Sequence, residues 1–557
     1  MSAIVLILLA IVIFVGGYLT YGKYLAKTWG IDPSKTTPAH TLEDGVDYVP
    51  AKTPVLMGHH FSSIAGAGPI NGPIQAAFFG WVPCFLWIVI GGIFFGAVQD
   101  FGSIFVSIRH EGKSLGEVIE NTMGRKCRVL FTVFAWLVLL LVVAAFADIV
   151  ANSFTGSEAN GSVATASMLF IPLAIAFGFF VYRKNAPMAV ASVVGVIGLA
   201  ACVALGIMFP ITGIPKMGWL AIVFVYIIIA SVAPVWILLQ PRDYLSSFLL
   251  YFMMIAAIVG IIGANPTIQT PAFIGFNVNG SFIFPVLFIT IACGAISGFH
   301  SLIGSGTTSK QLDNEKDALM IGYGSMLIEC VLAVISLIAI STLSADGTQA
   351  YVQNALGLDA ISPTVIFGTA ISQFFATMRF GEAAVNVTYT IICLAVSCFC
   401  LTSLDTATRL GRFMFQELFA TNKNGEKNIL SNMYVATLVT VAGAFILCIA
   451  GYSKIWPLFG ACNKLVAVPA FLAIATYLKK IGKNNKMLYF PIVFMSIATL
   501  TSLVMSFKNN LVSIMGGATG ATLFTNILQD VIIVPIFVLA IILIIEGGKV
   551  LLGKKEA

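Results

Sequence analysis

The chain has 557 residues, of which 59% are hydrophobic and only 10% are charged, and its mean hydropathy is +0.97. Soluble domains carry about 25% charged residues, so this composition excludes a soluble protein and predicts a polytopic membrane protein. The net charge of +6 does not indicate nucleic-acid binding, because most Lys and Arg residues fall in short loops between apolar runs. The ten cysteines show no CxxC or Cys/His spacing, so we expect neither disulfides nor a cysteine metal site.

Runs of ~20 apolar residues are long enough to cross a bilayer as helices. The first run lacks the basic segment and cleavage site of a signal peptide, so we interpret it as a retained span. We predict spans near 3–22, 58–80, 82–106, 129–152, 164–182, 187–209, 218–240, 246–264, 282–304, 318–343, 383–405, 432–451, 456–478, 488–507 and 521–545. The apolar segment 363–378 is too short and is predicted to be re-entrant or interfacial, and 408–422 to be an amphipathic surface helix.

The loop charges predict the orientation of these spans. With the N-terminus outside, the inner segments hold 25 of the 30 Lys and Arg residues, and the outer segments hold four. The positive-inside rule therefore predicts an outer N-terminus and a cytoplasmic C-terminus. The partners expected are the lipid bilayer and a small molecule, with no nucleic acid.

The stretch Gly58–Gly80 is apolar enough for a membrane yet full of helix breakers: Gly66, Gly68, Pro69, Gly72 and Pro73. Proline removes a backbone donor, and in hydrocarbon the freed carbonyls need partners in protein or a water-filled cavity. Such a break is a candidate binding site, although ordinary kinks are also common in membrane helices.

A second interruption, Ser231–Arg242, falls five spans later. Matched breaks in two halves are typical of inverted-repeat transporters, whose sites lie between discontinuous helices. A third polar segment, 292–312, carries hydroxyls and one imidazole that either complete a cation site or bond backbone carbonyls within a helix.

Six stretches resemble the carbon starvation protein A (CstA) family of peptide and pyruvate transporters. They are GHHFSSIAGAGPINGPIQAA (58–77), GAVQDFGSIFVSIRHEGKSLGEVI (96–119), PVWILLQPRDYL (234–245), FITIACGAISGFHSLIGSGTTSKQL (288–312), LTSLDTATRLGRFMFQEL (401–418) and WPLFGACNKL (456–465). The resemblance implies a LeuT-like inverted-repeat core and secondary active uptake when preferred carbon is scarce. The chain departs from the family pattern at Lys464, where the family has Gln after the Asn.

The fold class expected is therefore an all-α polytopic membrane protein with a LeuT-like 5+5 inverted-repeat core. One extra span precedes the core, and about four follow it. The organisation expected is an N-terminal helix and loop (1–57), a transport core (58–405) and a C-terminal region (406–557). The core divides into halves at 58–209 and 218–405.

Pyruvate and peptides both carry a carboxylate, which suits the partial positive charge of a half-helix N-terminus. The substrate site predicted comprises the first break and the facing wall of the second: Gly66, Ala67, Gly68, Pro69, Asn71, Gly72, Ser231, Pro234, Trp236 and Gln240.

The coupling ion expected is H⁺ or Na⁺, with no other cofactor and no metal. The residues predicted to take part in ion coupling or gating are His60, Asp100, Arg242, Asp243, Ser297, His300, Thr307, Thr308 and Glu329. Glu329 is the carboxylate favoured for a proton, because charged groups inside membranes are costly and usually functional. His60 either titrates or caps a helix start, and Asp100 is interpreted as an ion-paired group at the inner face. We also expect Arg242 or Asp243 to bond across to the first broken helix and close an inner gate.

Lys464 lies near the end of a span and either reaches the membrane surface or titrates while buried. No catalytic motif or nucleotide site occurs, so an enzyme is not expected. The alternatives are a sodium-coupled carrier of another small carboxylate or amino acid, a channel, and a binding protein that only signals.

Overall fold

The computed structural model describes residues 1–553 apart from 46–47, 185, 235–236, 292, 344–362, 420–427 and 450–451. Eleven of the described helices are long and apolar enough to cross a membrane: Ala3–Trp29, Trp81–Ile108, Arg125–Ser153, Glu158–Val181, Met188–Met208, Pro241–Ala264, Glu315–Thr342, Glu382–Phe419, Leu458–Lys480, Lys486–Met515 and Thr522–Leu551. The shorter α-helices are Pro38–Thr41, Thr53–Ile64, Gly68–Ala76, Leu115–Met123, Lys216–Val232, Ile283–Thr290, Gly298–Gly306, Pro363–Thr377 and Met433–Cys448. One small antiparallel hairpin pairs Asn277–Val278 with Ser281–Phe282.

Each of the fifteen predicted spans coincides with helix in this structure. Eleven are the long helices, and two are the shorter apolar helices Lys216–Val232 and Met433–Cys448. The remaining two, at 58–80 and 282–304, are discontinuous. The protein is therefore an all-helical, multi-pass membrane protein.

The first broken helix consists of half-helix 1a, Thr53–Ile64, and half-helix 1b, Gly68–Ala76. Half-helix 1a ends with the bond from Ala65 N to Phe61 O (2.9 Å), and at Ala65 the backbone leaves helical geometry (ψ 68°). Pro69 has no N–H to bond the carbonyl four residues earlier, which is why the helix stops and restarts here. The predicted break is confirmed.

The second broken helix consists of half-helix 2a, Ile283–Thr290, and half-helix 2b, Gly298–Gly306. It runs antiparallel to the first. At one end Ala51 N donates to Gln311 O (3.0 Å), and at the other Ile274 N donates to Phe79 O (3.1 Å). The start of the first broken helix therefore lies beside the end of the second.

The second interruption was predicted at Ser231–Arg242, and that prediction is wrong. One helix ends at Val232 and another begins at Leu239, so the described part of this stretch lies between two separate helices and at their ends. Pro241 sits in the first turn of the new helix, where its missing N–H costs nothing. Along the chain, the second broken helix is the seventh predicted span after the first, and not the fifth.

Two long helices, Arg125–Ser153 and Glu382–Phe419, pack along each other beside the breaks. A Cβ on Gly66 would contact Phe146 on one of them and Ser403 on the other. The separate surface helix predicted at 408–422 is not present in its described part, because residues 408–419 continue the helix Glu382–Phe419. The segment near 363–378 is the helix Pro363–Thr377, which packs on Glu382–Phe419.

Candidate functional site

The two breaks cross each other in the protein interior. A Cβ built on Gly68 would lie 2.5 Å from Cys293 Sγ, and one built on Gly294 would lie 3.5 Å from Pro69 Cα. The predicted substrate residues in the first break are all buried here: Gly66, Ala67, Gly68, Pro69, Asn71 and Gly72. The structure therefore brings this part of the predicted site together with the second break.

Of the other predicted substrate residues, Ser231 and Pro234 are among the described residues. Ser231 ends the helix Lys216–Val232, where its carbonyl accepts a bond from Arg412 Nη1 (2.6 Å) and its hydroxyl lies 3.4 Å from Thr437 Oγ1. Pro234 follows in the turn. Trp236 lies outside the described residues, as does the side chain of Gln240. Residues 291 and 293–297, which we call the second break, contact the first broken helix through Cys293 and Gly294.

A buried chain of titratable groups joins three helices next to the crossing. His300 Nδ1, on half-helix 2b, lies 2.9 Å from Asp100 Oδ2, and its Nε2 lies 3.5 Å from Glu329 Oε2. All three side chains are 0% exposed. Asp100 was predicted at the inner face, but the helix Trp81–Ile108 continues for two more turns and places this carboxylate in the interior.

The chemistry of this chain suits proton transfer. An imidazole has two distinct nitrogens, and a hydrogen bond on one sets the role of the other. When Nδ1–H donates to Asp100, the lone pair of Nε2 faces Glu329, so a proton on Glu329 can pass to the ring. Ionisable groups at membrane depth that pair in this way are typical of proton pathways.

A thiol lies beside the same groups. Ligand atoms of Cys293, His300 and Glu329 are all within 4.8 Å of one another. Sulfur, imidazole and carboxylate are ligands that Zn²⁺ accepts. Cys293 from the second break, His300 from half-helix 2b and Glu329 from the helix Glu315–Thr342 thus form a set that the cysteine spacing in the sequence did not indicate.

The remaining hydroxyls and His60 form bonds of two kinds. His60 Nδ1 on half-helix 1a lies 2.7 Å from Thr308 Oγ1, which ties the inner ends of the two broken helices together. Thr307 Oγ1 donates to Ile303 O (3.0 Å), the backbone alternative expected for these hydroxyls. Ser297 Oγ accepts from Asn463 Nδ2 (3.0 Å).

The neighbouring charges Arg242 and Asp243 point to different partners. Arg242 Nη1 lies 2.6 Å from Asp405 Oδ2, and Tyr226 OH donates to the same oxygen (2.8 Å). Asp243 Oδ2 lies 3.2 Å from His59 Nδ1 on half-helix 1a. The expected link to the first broken helix is therefore made by Asp243, while Arg242 anchors the helix Glu382–Phe419.

A cavity of about 160 Å³ opens beside that link. His59, Thr307 and Lys310 line it from the broken helices, and Arg409 and Glu417 line it from the helix Glu382–Phe419. Loop charges predict this end of the protein to be cytoplasmic. His59, which pairs with Asp243, thus lies on the wall of this cavity, which we call the inner vestibule.

Sequence reasoning missed Asn463 and left the position of Lys464 open; both residues lie on the helix Tyr452–Lys480. Lys464 does not reach the membrane surface but is fully buried, with its Nζ donating to Phe288 O, to Ile289 O (2.8 Å) and to Ile291 O (2.7 Å). Asn463 Oδ1 accepts from Phe299 N (2.8 Å). The sequence signal was the departure from the family pattern at Lys464, which did not indicate its partners.

Comparisons with known proteins agree with this architecture. The family model described as "Carbon starvation protein CstA" matches residues 2–360 and 346–502. The peptide transporter CstA of Bacillus subtilis is 33% identical over 523 residues, covering 87% of each chain. That of Campylobacter jejuni is 36% identical, covering 90% of this chain and 79% of the relative. The pyruvate/proton symporter BtsT of Escherichia coli is 32% identical, covering 87% of this chain and 78% of the relative.

Among solved structures, two mutants of the Eremococcus coleocola manganese transporter match with TM-scores of 0.51 and 0.50. They are 12% identical, and the matches cover 91% of this chain and 99% of the other. This likeness concerns the fold, which is that of a helical membrane transporter. Taken with the matches along the sequence, it leads to one assignment: the chain belongs to the carbon starvation protein CstA family and is a transporter, not an enzyme.

Proposed function

We propose that the protein is a proton-coupled symporter that imports peptides or pyruvate across the inner membrane, with its N-terminus outside and its C-terminus in the cytoplasm. The observation that carries the proposal is the buried Asp100–His300–Glu329 chain beside two crossing helix breaks. Protonation of one of these groups changes the charge next to the break, which gives the ion gradient a direct means of biasing the site.

The substrate is a small molecule with a carboxylate. Half-helix 1b begins at Gly68 within the first break, so its partial positive end faces the crossing. Asn71, buried in the same half-helix, is the side chain proposed to select among carboxylates. Relatives named as peptide transporters and as a pyruvate/proton symporter support this class of substrate.

The conformational cycle proposed is alternating access in a LeuT-like pair of inverted repeats, with the broken helices as equivalent elements. Their antiparallel course supports this arrangement. Because the second broken helix is the seventh span after the first and not the fifth, this arrangement requires two additional helices between the repeats. The His59–Asp243 pair is the inner gate. Uptake of this kind serves a cell whose preferred carbon source is scarce.

The test is uptake by purified protein in proteoliposomes. Labelled pyruvate and a labelled dipeptide are offered separately, with an inward proton gradient or an inward sodium gradient imposed alone. We expect accumulation of one of the two under the proton gradient, saturating with concentration and showing counterflow. Accumulation driven only by sodium would support a sodium-coupled carrier instead, and non-saturating ohmic current would support a channel.

A further inference from the structure

The ammonium group of Lys464 occupies a site made of backbone oxygens. Half-helix 2a ends at Thr290, and the last carbonyls of a helix have no partner within it. Lys464 Nζ donates to two of these oxygens, from Phe288 and Ile289, and to the oxygen of Ile291 in the second break. An ammonium has three N–H donors, so each of them has one carbonyl acceptor.

The charge at this site is compensated by dipoles and not by a counter-ion. Lys464 is 0% exposed, and among the described residues it forms no ion pair with a carboxylate. The carbonyl end of a helix carries partial negative charge, which stabilises a cation there. Unwound carbonyls at the end of a half-helix are also the ligands with which transporters of this architecture hold Na⁺.

Asn463 fixes the geometry of the same site from the other side of the break. Its Oδ1 accepts from Phe299 N at the start of half-helix 2b (2.8 Å), and its Nδ2 donates to Ser297 Oγ (3.0 Å). Adjacent residues of one helix therefore hold the carbonyl end of half-helix 2a and the amide end of half-helix 2b. The spacing of the carbonyls is set by this helix.

From these contacts we infer that residues 288, 289 and 291 form a monovalent-cation site that Lys464 fills with its own ammonium group. The lysine is a tethered cation, so the second broken helix needs no exchangeable Na⁺ for its structure. Removing the side chain leaves the oxygens and a space, and the site then takes Na⁺ from solution.

The experiment measures thermal unfolding of purified protein in detergent, in NaCl or in choline chloride at equal ionic strength. It requires no transported substrate, so its result is separate from whether the protein carries peptides, pyruvate or protons. We expect the wild-type Tm to be the same in both salts. Lys464→Ala should unfold at lower temperature in choline chloride and show a saturable rise in Tm with NaCl. Lys508→Ala, which removes an exposed lysine, is the matched control. Its Tm should be the same in NaCl and in choline chloride, as in the wild type.

A second variant covers the case in which Lys464→Ala does not fold. Lys464→Ser adds one hydroxyl oxygen to the vacated site and should be recovered as monodisperse protein in NaCl but not in choline chloride. The inference is overturned if neither variant distinguishes Na⁺ from choline, or if the wild type itself requires Na⁺ for stability. Lys464→Gln, whose amide can still donate to the carbonyls, should fold in both salts without a Na⁺ response; a Na⁺ response in this variant would also count against the assignment.

Discussion

Gly68 and Cys293 are in such close contact that a methyl group on Gly68 would lie 2.5 Å from the sulfur of Cys293 and 2.6 Å from its Cβ. Residues with a side chain essentially never come so near, so this approach depends on glycine. The contact is where the break in the first helix meets the break in the second. It fixes the relative position of the two half-helix ends that form the proposed site.

Gly68→Ala should therefore lower uptake at least about tenfold, a change that corresponds to about 1.4 kcal/mol. The physical reason is that the new methyl pushes the two breaks apart. The measurement is initial uptake in proteoliposomes at equal protein content. Cys293→Gly in the same chain removes both clashing atoms and should restore part of the loss, whereas Gly16→Ala, with nothing within 4 Å, should have no effect. A double variant no better than Gly68→Ala would contradict this account.

Glu329→Gln should abolish the stimulation of uptake by an inward proton gradient. The amide keeps the shape of the side chain but can neither release a proton toward His300 Nε2 nor take one back. Counterflow, which needs no net proton movement, should survive in this variant. Proton stimulation equal to that of the wild type would exclude Glu329 as the proton carrier.

Cys293→Ser distinguishes a proton chain from a metal site at the same place. Proton transfer between His300 and Glu329 does not involve the sulfur, so the variant should keep proton-driven uptake, with or without a chelator. A zinc site of Cys293, His300 and Glu329 would lose affinity with the thiolate ligand. The comparison is uptake and zinc content of the purified wild type and variant; stoichiometric zinc lost with Cys293 would contradict the proton assignment.

Arg242→Met should destabilise the protein by about 3–5 kcal/mol, because it leaves the buried carboxylate of Asp405 without its cation. Arg242→Met combined with Asp405→Leu removes both charges and should recover most of the stability. Thermal unfolding in detergent measures the stability of the single and the double variant. Arg128→Met, at a half-exposed pair with Glu120, is the control and should cost at most about 1 kcal/mol. A double variant as unstable as the single would show that the pair is more than charge compensation.

Asp243→Asn should open the inner vestibule by weakening the link to His59 on half-helix 1a. The readout is a single reporter, Ser63→Cys, at a position buried on half-helix 1a. A membrane-impermeant maleimide added from the cytoplasmic side should label the reporter faster in the Asp243→Asn background. Equal labelling in both backgrounds would rule out a gating role for this pair.

Much of the architecture follows from local sequence. Each of the fifteen apolar runs coincides with helix, which is continuous in thirteen runs and broken in two. Pro69 with Gly66 and Gly68 located the first break, because proline and glycine act on their own turn. The grouping of Asp100, His300 and Glu329 could not be seen in the same way. These residues come from three helices, and only their packing shows that they form one chain.

The two failures have a common origin in long-range contacts. Ser231–Arg242 carries the same breakers as a discontinuous helix, but a turn between two helices uses Pro234 and Pro241 in the same way. The break at 291 and 293–297 contains no proline, and Asn463 and Lys464, some 170 residues away, bond backbone groups of the half-helix ends on either side of it. The burial of Lys464 stayed an open alternative for the same reason, since nothing nearby in the chain indicates its three carbonyl partners.

The meeting of Gly68 and Cys293 has a consequence for energy conservation in the cell. A carrier whose two faces opened independently would at times be open to both, and protons would then return without carrying solute. Because Gly68 and Cys293 touch directly, a tilt of one break displaces the other at this point. Under the proton coupling proposed above, this contact would keep the two faces from opening together and so save proton-motive force, and it depends on the smallest residue in the chain.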